Sequence, residues 1–425
     1  MKIAIIGSGI AGNVAAHRLH REHDITVFEA GGHAGGHTHT HLVEQGGRRY
    51  AVDTGFIVFN HRTYPNFVAL LEELGVGWQA SRMSFSVRDE ASGLEYNGTT
   101  LNSLFAQRRN LLRPSFLGMV RDILRFNREA PLLLHQPGGE VPLGELLQRG
   151  GYGRSFVQHY IVPMGAAIWS TDPQSMLAFP ARFFIRFLHN HGMLSVDKRP
   201  VWRVVRGGSA RYVEKLVAPL RDRIRLRTPV EWVRRLPGQV IVRTRDGMAE
   251  RFDSVFIACH SDQALRLLAD PSPAEREVLG AIPYQENEAL LHTDSRLLPK
   301  KPLAWAAWNY HLLPGARERV ALTYNMNILQ GLDAPEPFLV TLNRSDAVDP
   351  SKVLKCITYH HPLFTPAGVA AQARQAELNR GRRTYYCGAY WRNGFHEDGV
   401  TSALAALAHF AEDIGDAQRP VHRVA

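Results

Sequence analysis

The chain opens on an unbroken apolar run, KIAIIG, and then changes character at once. GSGIAG follows, and after it NVAAHRLH, whose apolar positions recur every three to four residues. A short β-branched run without polar interruption predicts a strand buried on both faces, and the second pattern predicts a helix. A second such run, DITVFEA, ends in Glu29. Further along, YAVDTGFIVFN predicts a buried strand over Asp53–Asn60, and YPNFVALLEELG an amphipathic helix closed by Gly75. RVVRGGSARYVEKLVAPL reads as loop and helix, and IRLRTPVEWVRRL, QVIVRTRD and AERFDSVFIAC read as strands. DSVFIACHSDQALRLL passes from strand into helix. Near the end TYYCGA is strand-like, and GVTSALAALAHFAEDI is an alanine-rich helix with Asp398 and Gly399 at its start.

The opening order of strand, glycine turn, helix, strand and acid has a chemical reading. Gly7, Gly9 and Gly12 stand in G-x-G-x-x-G spacing, with Ser8, Ile10 and Ala11 between them. The first glycine permits a sharp turn, the second a close approach of backbone to pyrophosphate, and the third close packing of helix on strand. The helix N-terminus offers N–H donors and partial positive charge to phosphate. Glu29, followed by Ala30, comes 17 residues after Gly12, where an acid can bind ribose hydroxyls. Together these point to a dinucleotide.

Two residues beyond Glu29 begins GGHAGGHTHTH, residues 31–41. Gly35 and Gly36 would let backbone pass close to a second part of a long cofactor, with His37 and Thr38 as hydrogen-bond donors to it. Gly55, beside Phe56, offers another close approach. A metal site is the competing reading, since His37, His39 and His41 alternate and on a strand would share one face. No cysteine or acid cluster stands near them in sequence, and no metal is expected.

The N-terminus of the final helix is a second place suited to electron-rich oxygen. A dinucleotide with a long second half would use both ends of the chain.

The chain has 425 residues, enough for two or more domains around a shared cleft. The net charge of +10 suits a phosphorylated ligand or an anionic membrane surface. The arginines are scattered and no groove-reading motif accompanies them, so nucleic acid is not expected. The three cysteines, Cys259, Cys356 and Cys387, are odd in number and form no C-x-x-C pair, as in reduced intracellular proteins. No stretch reaches the roughly 20 apolar residues of a membrane span. A cytoplasmic protein is expected, with a peripheral contact to the inner face of the membrane left open. The stretches at 103–135 and 179–194 mix apolar residues with arginine; they fit helices over a core, or a greasy tunnel or membrane-facing surface.

GSGIAG, Glu29, GGHT and VDTGF together resemble the flavin-containing amine oxidase and phytoene desaturase superfamily, and within it a bacterial branch of NAD/FAD-binding oxidoreductases. PMGAAIWST, FIRFLHNHGML, RVVRGGSARYVEKL, LHTDSRLLP, WAAWNY and CGAYWRNGFHEDGVTSAL carry the likeness over nearly the whole chain. It implies an α/β fold with a discontinuous, Rossmann-like FAD-binding domain (1–75, 200–265, 380–425) and an inserted α+β substrate domain (76–199, 266–379). It implies that the 200–265 block completes the nucleotide sheet, that the backbone of Val230 contacts adenine, and that Gly388, Asp398, Gly399 and Val400 lie at the flavin. Tyr390, Trp391 and His396 would lie near the isoalloxazine, the first two as substrate walls and His396 as proton acceptor or structural hydrogen-bonder. FAD would be noncovalent, since Cys387 is not in the covalent-linking context of that superfamily. Amine oxidases there carry a lysine near the flavin on the strand that here reads YQENEALLHTD, and this strand has none. That departure turns the expectation from amine oxidation toward C–C dehydrogenation of a small, lipophilic substrate. A flavin-dependent isomerase, an amine oxidase and a lipid-binding scaffold are the rivals; the oligomeric state is not legible.

Overall fold

The computed structural model describes residues 1–136, 140–195, 199–315 and 319–415. Its organising element is a five-stranded parallel sheet in the order Ile224–Arg225, Asp24–Phe28, Lys2–Ile6, Ser254–Ile257, Thr384–Tyr386. Three separate stretches of chain therefore meet in one sheet. The uninterrupted apolar runs belong here because both faces are covered, one by helices and the other by an antiparallel sheet of residues 230–252 with the helices Ser261–Leu267 and Pro273–Gly280; Ile3, Ala4, Ile5, Val255 and Phe256 have no exposed surface. The chain leaves Lys2–Ile6 by a turn at Gly7, whose φ of +100° a Cβ would resist. Gly7 N–H donates to the Phe28 carbonyl at 2.8 Å, and the helix Ile10–Leu19 follows.

The final helix, His396–Asp413, packs its N-terminal turn against that of the first helix. A Cβ on Gly399 would stand 2.6 Å from Ile10 Cγ2, so only glycine permits this approach. The helix starts two residues ahead of Asp398, which makes His396 its first residue.

Two expectations change. The Asp53–Asn60 run is not one strand: Arg48–Asp53 ends, Thr54–Ile57 turns, and Val58–Asn60 begins a different sheet with Trp202–Val205 and Trp78–Ala80. The cause is Gly55, whose Cβ position is filled by the His37 carbonyl, an approach incompatible with a continued ladder. The 200–265 block also does not simply complete the parallel sheet. Only Ile224–Arg225 and Ser254–Ile257 join it, while Val230–Leu236, Gln239–Thr244 and Ala249–Phe252 form their own antiparallel sheet. That sheet is tied to the parallel one by buried Glu275, which is ion-paired with Arg235 and accepts from Tyr386 Oη at 2.7 Å.

The other half is a seven-stranded sheet ordered Val353–Pro362, Tyr284–His292, Leu339–Leu342, Leu322–Asn325, Trp308–Leu312, Phe85–Asp89, Leu94–Asn97. It is antiparallel except where Trp308–Leu312 runs parallel to Phe85–Asp89. Helices including Pro114–Glu129, Val162–Trp169 and Ala181–Asn190 share a core with it. Among the described residues no helix is long and apolar enough to cross a membrane.

Candidate functional site

A cavity of about 1430 Å³ runs from the glycine turn into the seven-stranded half. That exceeds the roughly 300–1,000 Å³ of ordinary small-ligand pockets, leaving room for an extended molecule and a second one beside it.

At one end its wall is Gly7, Ser8, Gly9, Ile10 and Ala11. No side chain caps the helix there, so its first N–H groups face the cavity. A Cβ on Gly9 would meet nothing within 4 Å, so the space over it is open. Gly12 faces away from the cavity, and a Cβ there would fall on the Gly7 carbonyl. The Glu29 carboxylate accepts from Ser8 N at 2.8 Å, Ser8 Oγ at 2.6 Å and Gly31 N at 2.7 Å. Ala30 and Val230 complete this end of the wall. The Gly35–Gly36 doublet closes over the turn: Gly35 N–H donates to the Ser8 carbonyl at 2.8 Å, and both glycines have positive φ, +134° and +58°.

Further in, Gly36, His37, Gly55 and Phe56 continue the wall to Gly388, Phe395 and His396. Phe56 stacks on the His396 imidazole with centroids 3.7 Å apart. His396 Nε2 lies 2.6 Å from Tyr212 Oη and 3.2 Å from Thr38 Oγ1. Burial drives its pKa down to about 3, so the ring is neutral near pH 7, held at Nε2 by two hydroxyls and on its face by Phe56. This arrangement fits a structural hydrogen-bonder better than a proton acceptor. Thr38, buried in that network, is off the cavity wall. Asp398, Gly399 and Val400 stand behind it too. Asp398 accepts from Phe395 N–H at 2.9 Å and burial pushes it up to about 7; Gly399 packs on Ile10; Val400 lies in the core. Glu397 accepts from Asn66 N at 3.0 Å and Phe67 N at 2.9 Å, fixing the final helix to the helix Pro65–Glu73.

The loop at Gly55 is anchored by Asp53, a fully buried acid the sequence did not single out. Its carboxylate accepts from Thr40 Oγ1 at 2.5 Å, Ser209 N at 3.0 Å, Ser209 Oγ at 2.8 Å and Gln330 Nε2 at 3.1 Å. Burial raises its pKa to about 6 against these donors.

Tyr390 lines the cavity with a buried hydroxyl that has no partner among the described residues, while Trp391 packs in the core off the wall. Sequence reasoning also missed an aromatic wall. His260 stacks on Tyr284 at 4.4 Å, and His37 lies 5.0 Å from Tyr359 and 5.6 Å from His361. Alternation along Val353–Pro362 places Tyr359 and His361 on one face, which was the available signal. The expected common face of His37, His39 and His41 does not form. His37 turns into the cavity, whereas His39 stacks between His33 and His41 at 4.2 and 4.1 Å. Among the described residues no cluster of three His, Cys, Asp or Glu is arranged to hold a metal ion. No lysine is among the described residues of the cavity wall.

Comparison with known proteins agrees with this geometry. The family model for flavin containing amine oxidoreductase matches residues 10–301. No curated protein matches the sequence. Among solved structures, the fold is similar to a provisionally named protoporphyrinogen oxidase from Exiguobacterium sp. 255-15 (18% identity, TM-score 0.68, covering 97% of this chain and 99% of that one). It is similar to cyclohexylamine oxidase from Brevibacterium oxydans IH-35A (14%, TM-score 0.69, 97% and 99%). It is also similar to a CLA-producing fatty acid isomerase from P. acnes (17%, TM-score 0.63, 96% and 98%).

Proposed function

The chain belongs to the flavin-containing amine oxidoreductase family, and we propose that it removes hydride from a carbon of an apolar, lipid- or isoprenoid-like substrate, C–C dehydrogenation rather than amine oxidation. The protein is an FAD-dependent oxidoreductase. FAD supplies the hydride acceptor when bound, and the protein's own task is to bind, orient and exclude water.

One observation carries the reading of the site. Two helix N-termini and two glycine-bearing loops meet on one side of a single cavity, and the opposite side is aromatic and apolar. The residues fit the cofactor: uncapped N–H groups and the open space over Gly9 suit pyrophosphate, and Glu29 suits ribose hydroxyls. Gly7, Ser8, Gly9, Ile10, Ala11, Gly35 and Gly36 would take the phosphates, with Glu29, Ala30 and Val230 at the adenosine. His37, Gly55, Phe56, Gly388 and the start of the final helix would take the flavin. Gly12, Thr38, Asp398, Gly399 and Val400 would shape the site from behind, and Tyr390 would wall the substrate. In this reading 1–75, 200–265 and 380–425 serve the cofactor, and 76–199 and 266–379 the substrate.

The absence of lysine from the strand Tyr284–His292 and the apolar lining weigh against an amine. Exposed Leu101, Leu111, Leu112, Leu117 and Leu124, interleaved with exposed Arg108, Arg109 and Arg121, further support peripheral contact with an anionic membrane. We place the protein, on this reading, at the inner face of the cytoplasmic membrane. The test is anaerobic incubation of the oxidised holoprotein with fractionated lipids and with primary amines. Bleaching of the flavin band by a lipid fraction supports dehydrogenation. Bleaching by amines alone overturns it, and conversion of a lipid without bleaching or acceptor assigns an isomerase instead.

A further inference from the structure

The charges on the cavity wall are distributed unevenly. Among the described residues the wall's only acids are Glu29 and Glu231, and both belong to the adenosine end with Val230. Arg245 and Arg266 are at that end too, Arg245 N–H donating to the Pro229 carbonyl at 2.9 Å and Arg266 paired with Asp262 at 2.7 Å. Two cations remain among the described residues of the wall, Arg82 and Arg199, with no described acid beside them.

These two come from neighbouring segments. Trp78–Ala80 pairs antiparallel with Trp202–Val205, and beyond the ladder Ser81 N–H donates to the Trp202 carbonyl at 2.8 Å. Ser81 and Trp202 thus lie side by side at the sheet end, and residues 81–85 and 199–202 leading from them line the cavity. Arg82 and Arg199 are exposed, so they stand where the cavity meets solvent. The Arg82 guanidinium has no hydrogen bond or ion pair among the described residues. Arg199 Nε donates to the Ser195 carbonyl at 2.9 Å, and Tyr160 lines the same cavity. Inward from this rim the lining turns apolar, with Met83, Phe85, Met164, Ile168, Phe187 and Leu342.

We propose that the substrate is an anionic amphiphile, whose acidic head is held at the cavity mouth by Arg82 and Arg199, while its apolar body reaches toward the glycine segments. The inference rests on the cavity being the substrate chamber of the flavoenzyme. Among the described residues a protonated amine would meet two cations and no acid at that mouth. A carboxylate and a phosphate share the chemistry, since a guanidinium fork binds either.

The test measures equilibrium binding of dodecanoate, dodecyl phosphate, dodecanol and dodecylamine to the FAD-loaded protein by calorimetry, in the parent and in Arg82→Gln, Arg199→Gln and the double variant. The expected result is that an anion binds at least about tenfold tighter than the alcohol and the amine binds weakest. Each substitution should weaken the anion several-fold and leave dodecanol binding and FAD content unchanged. Whichever anion binds tighter names the head. Equal binding of alcohol and anion, preference for the amine, or anion affinity unchanged in the double variant overturns the proposal. Failure of the hydride-transfer reading is separate: arginine-dependent anion binding with no flavin bleaching by any unsaturated acid keeps the anion site and removes the dehydrogenation.

Discussion

The glycine fingerprint supports a test that separates ligand binding from folding within four residues. Gly9 has φ −68°, an ordinary value for any residue, and an added Cβ meets nothing within 4 Å. Gly9→Ala should therefore fold normally, losing at most about 1 kcal/mol because alanine is a poorer N-cap than glycine. If pyrophosphate lies over Gly9, the methyl occupies its space and pushes it off the N–H groups of the first helical turn. Losing about two charge-assisted hydrogen bonds, each about 1.5–3 kcal/mol, lowers FAD affinity at least 100-fold. Gly12→Ala should behave oppositely. Its methyl collides with the Gly7 carbonyl, with or without ligand, so the apoprotein itself should lose about 2–3 kcal/mol. The assays are urea unfolding of the apoprotein and titration with FAD followed by flavin fluorescence quenching. A Gly9→Ala protein that folds normally and binds FAD like the parent would refute the placement of the pyrophosphate.

Acid should destabilise the apoprotein. Burial lowers the pKa of His37 to about 4 and of His260, His361 and His396 to about 3, so below pH 6.5 the unfolded chain takes up protons the folded chain refuses. Asp53 and Asp398, raised to about 6 and 7, act in the opposite sense, losing stability as pH rises through those values, but the imidazoles outnumber them. Unfolding free energies from urea titrations at pH 7.5, 6 and 5 should fall by at least about 2 kcal/mol per pH unit below pH 6; a flat profile would contradict the burial. Glu275→Gln should cost about 2–3 kcal/mol in unfolding free energy, because it removes the buried acid from Arg235 and leaves only the partly exposed Asp270 to pair with the guanidinium; a loss under about 1 kcal/mol would contradict that pairing. Asp53→Ala, which strands the Ser209, Thr40 and Gln330 donors, should cost about 3 kcal/mol and weaken FAD binding through the Gly55 loop. Leu112→Glu, at a leucine 87% exposed, should leave stability unchanged and reduce co-sedimentation with phosphatidylglycerol vesicles; unchanged sedimentation would argue against the membrane face.

What could be read from the sequence was what the backbone demands locally. A positive φ at Gly7, the close approach at Gly12 and the closure of Pro65–Glu73 at Gly75 each follow from one residue type at one place. So did the final helix and its glycine, although its start lay two residues earlier. What the sequence hid depends on contacts between distant residues. The break at Thr54–Ile57 exists because a carbonyl from His37 occupies the Cβ position of Gly55. The separate sheet of 230–252 is a pairing choice that apolar alternation cannot specify. His37 parts from His39 because the strand begins only at Thr40, so the alternation has no ladder to act on. The aromatic wall draws its residues from positions 37, 260, 284, 359 and 361, and nothing in any one stretch announces their meeting.

In the proposed site one extended FAD would span the cavity from Glu29 to the start of the final helix. Titrating the apoprotein with FAD and with FMN tests this most directly, because FMN lacks the adenosine that the Glu29 end would hold. Binding of one FAD per chain, with FMN at least about 100-fold weaker, is the predicted result. Equal affinity for the two, or uptake of neither, would contradict it.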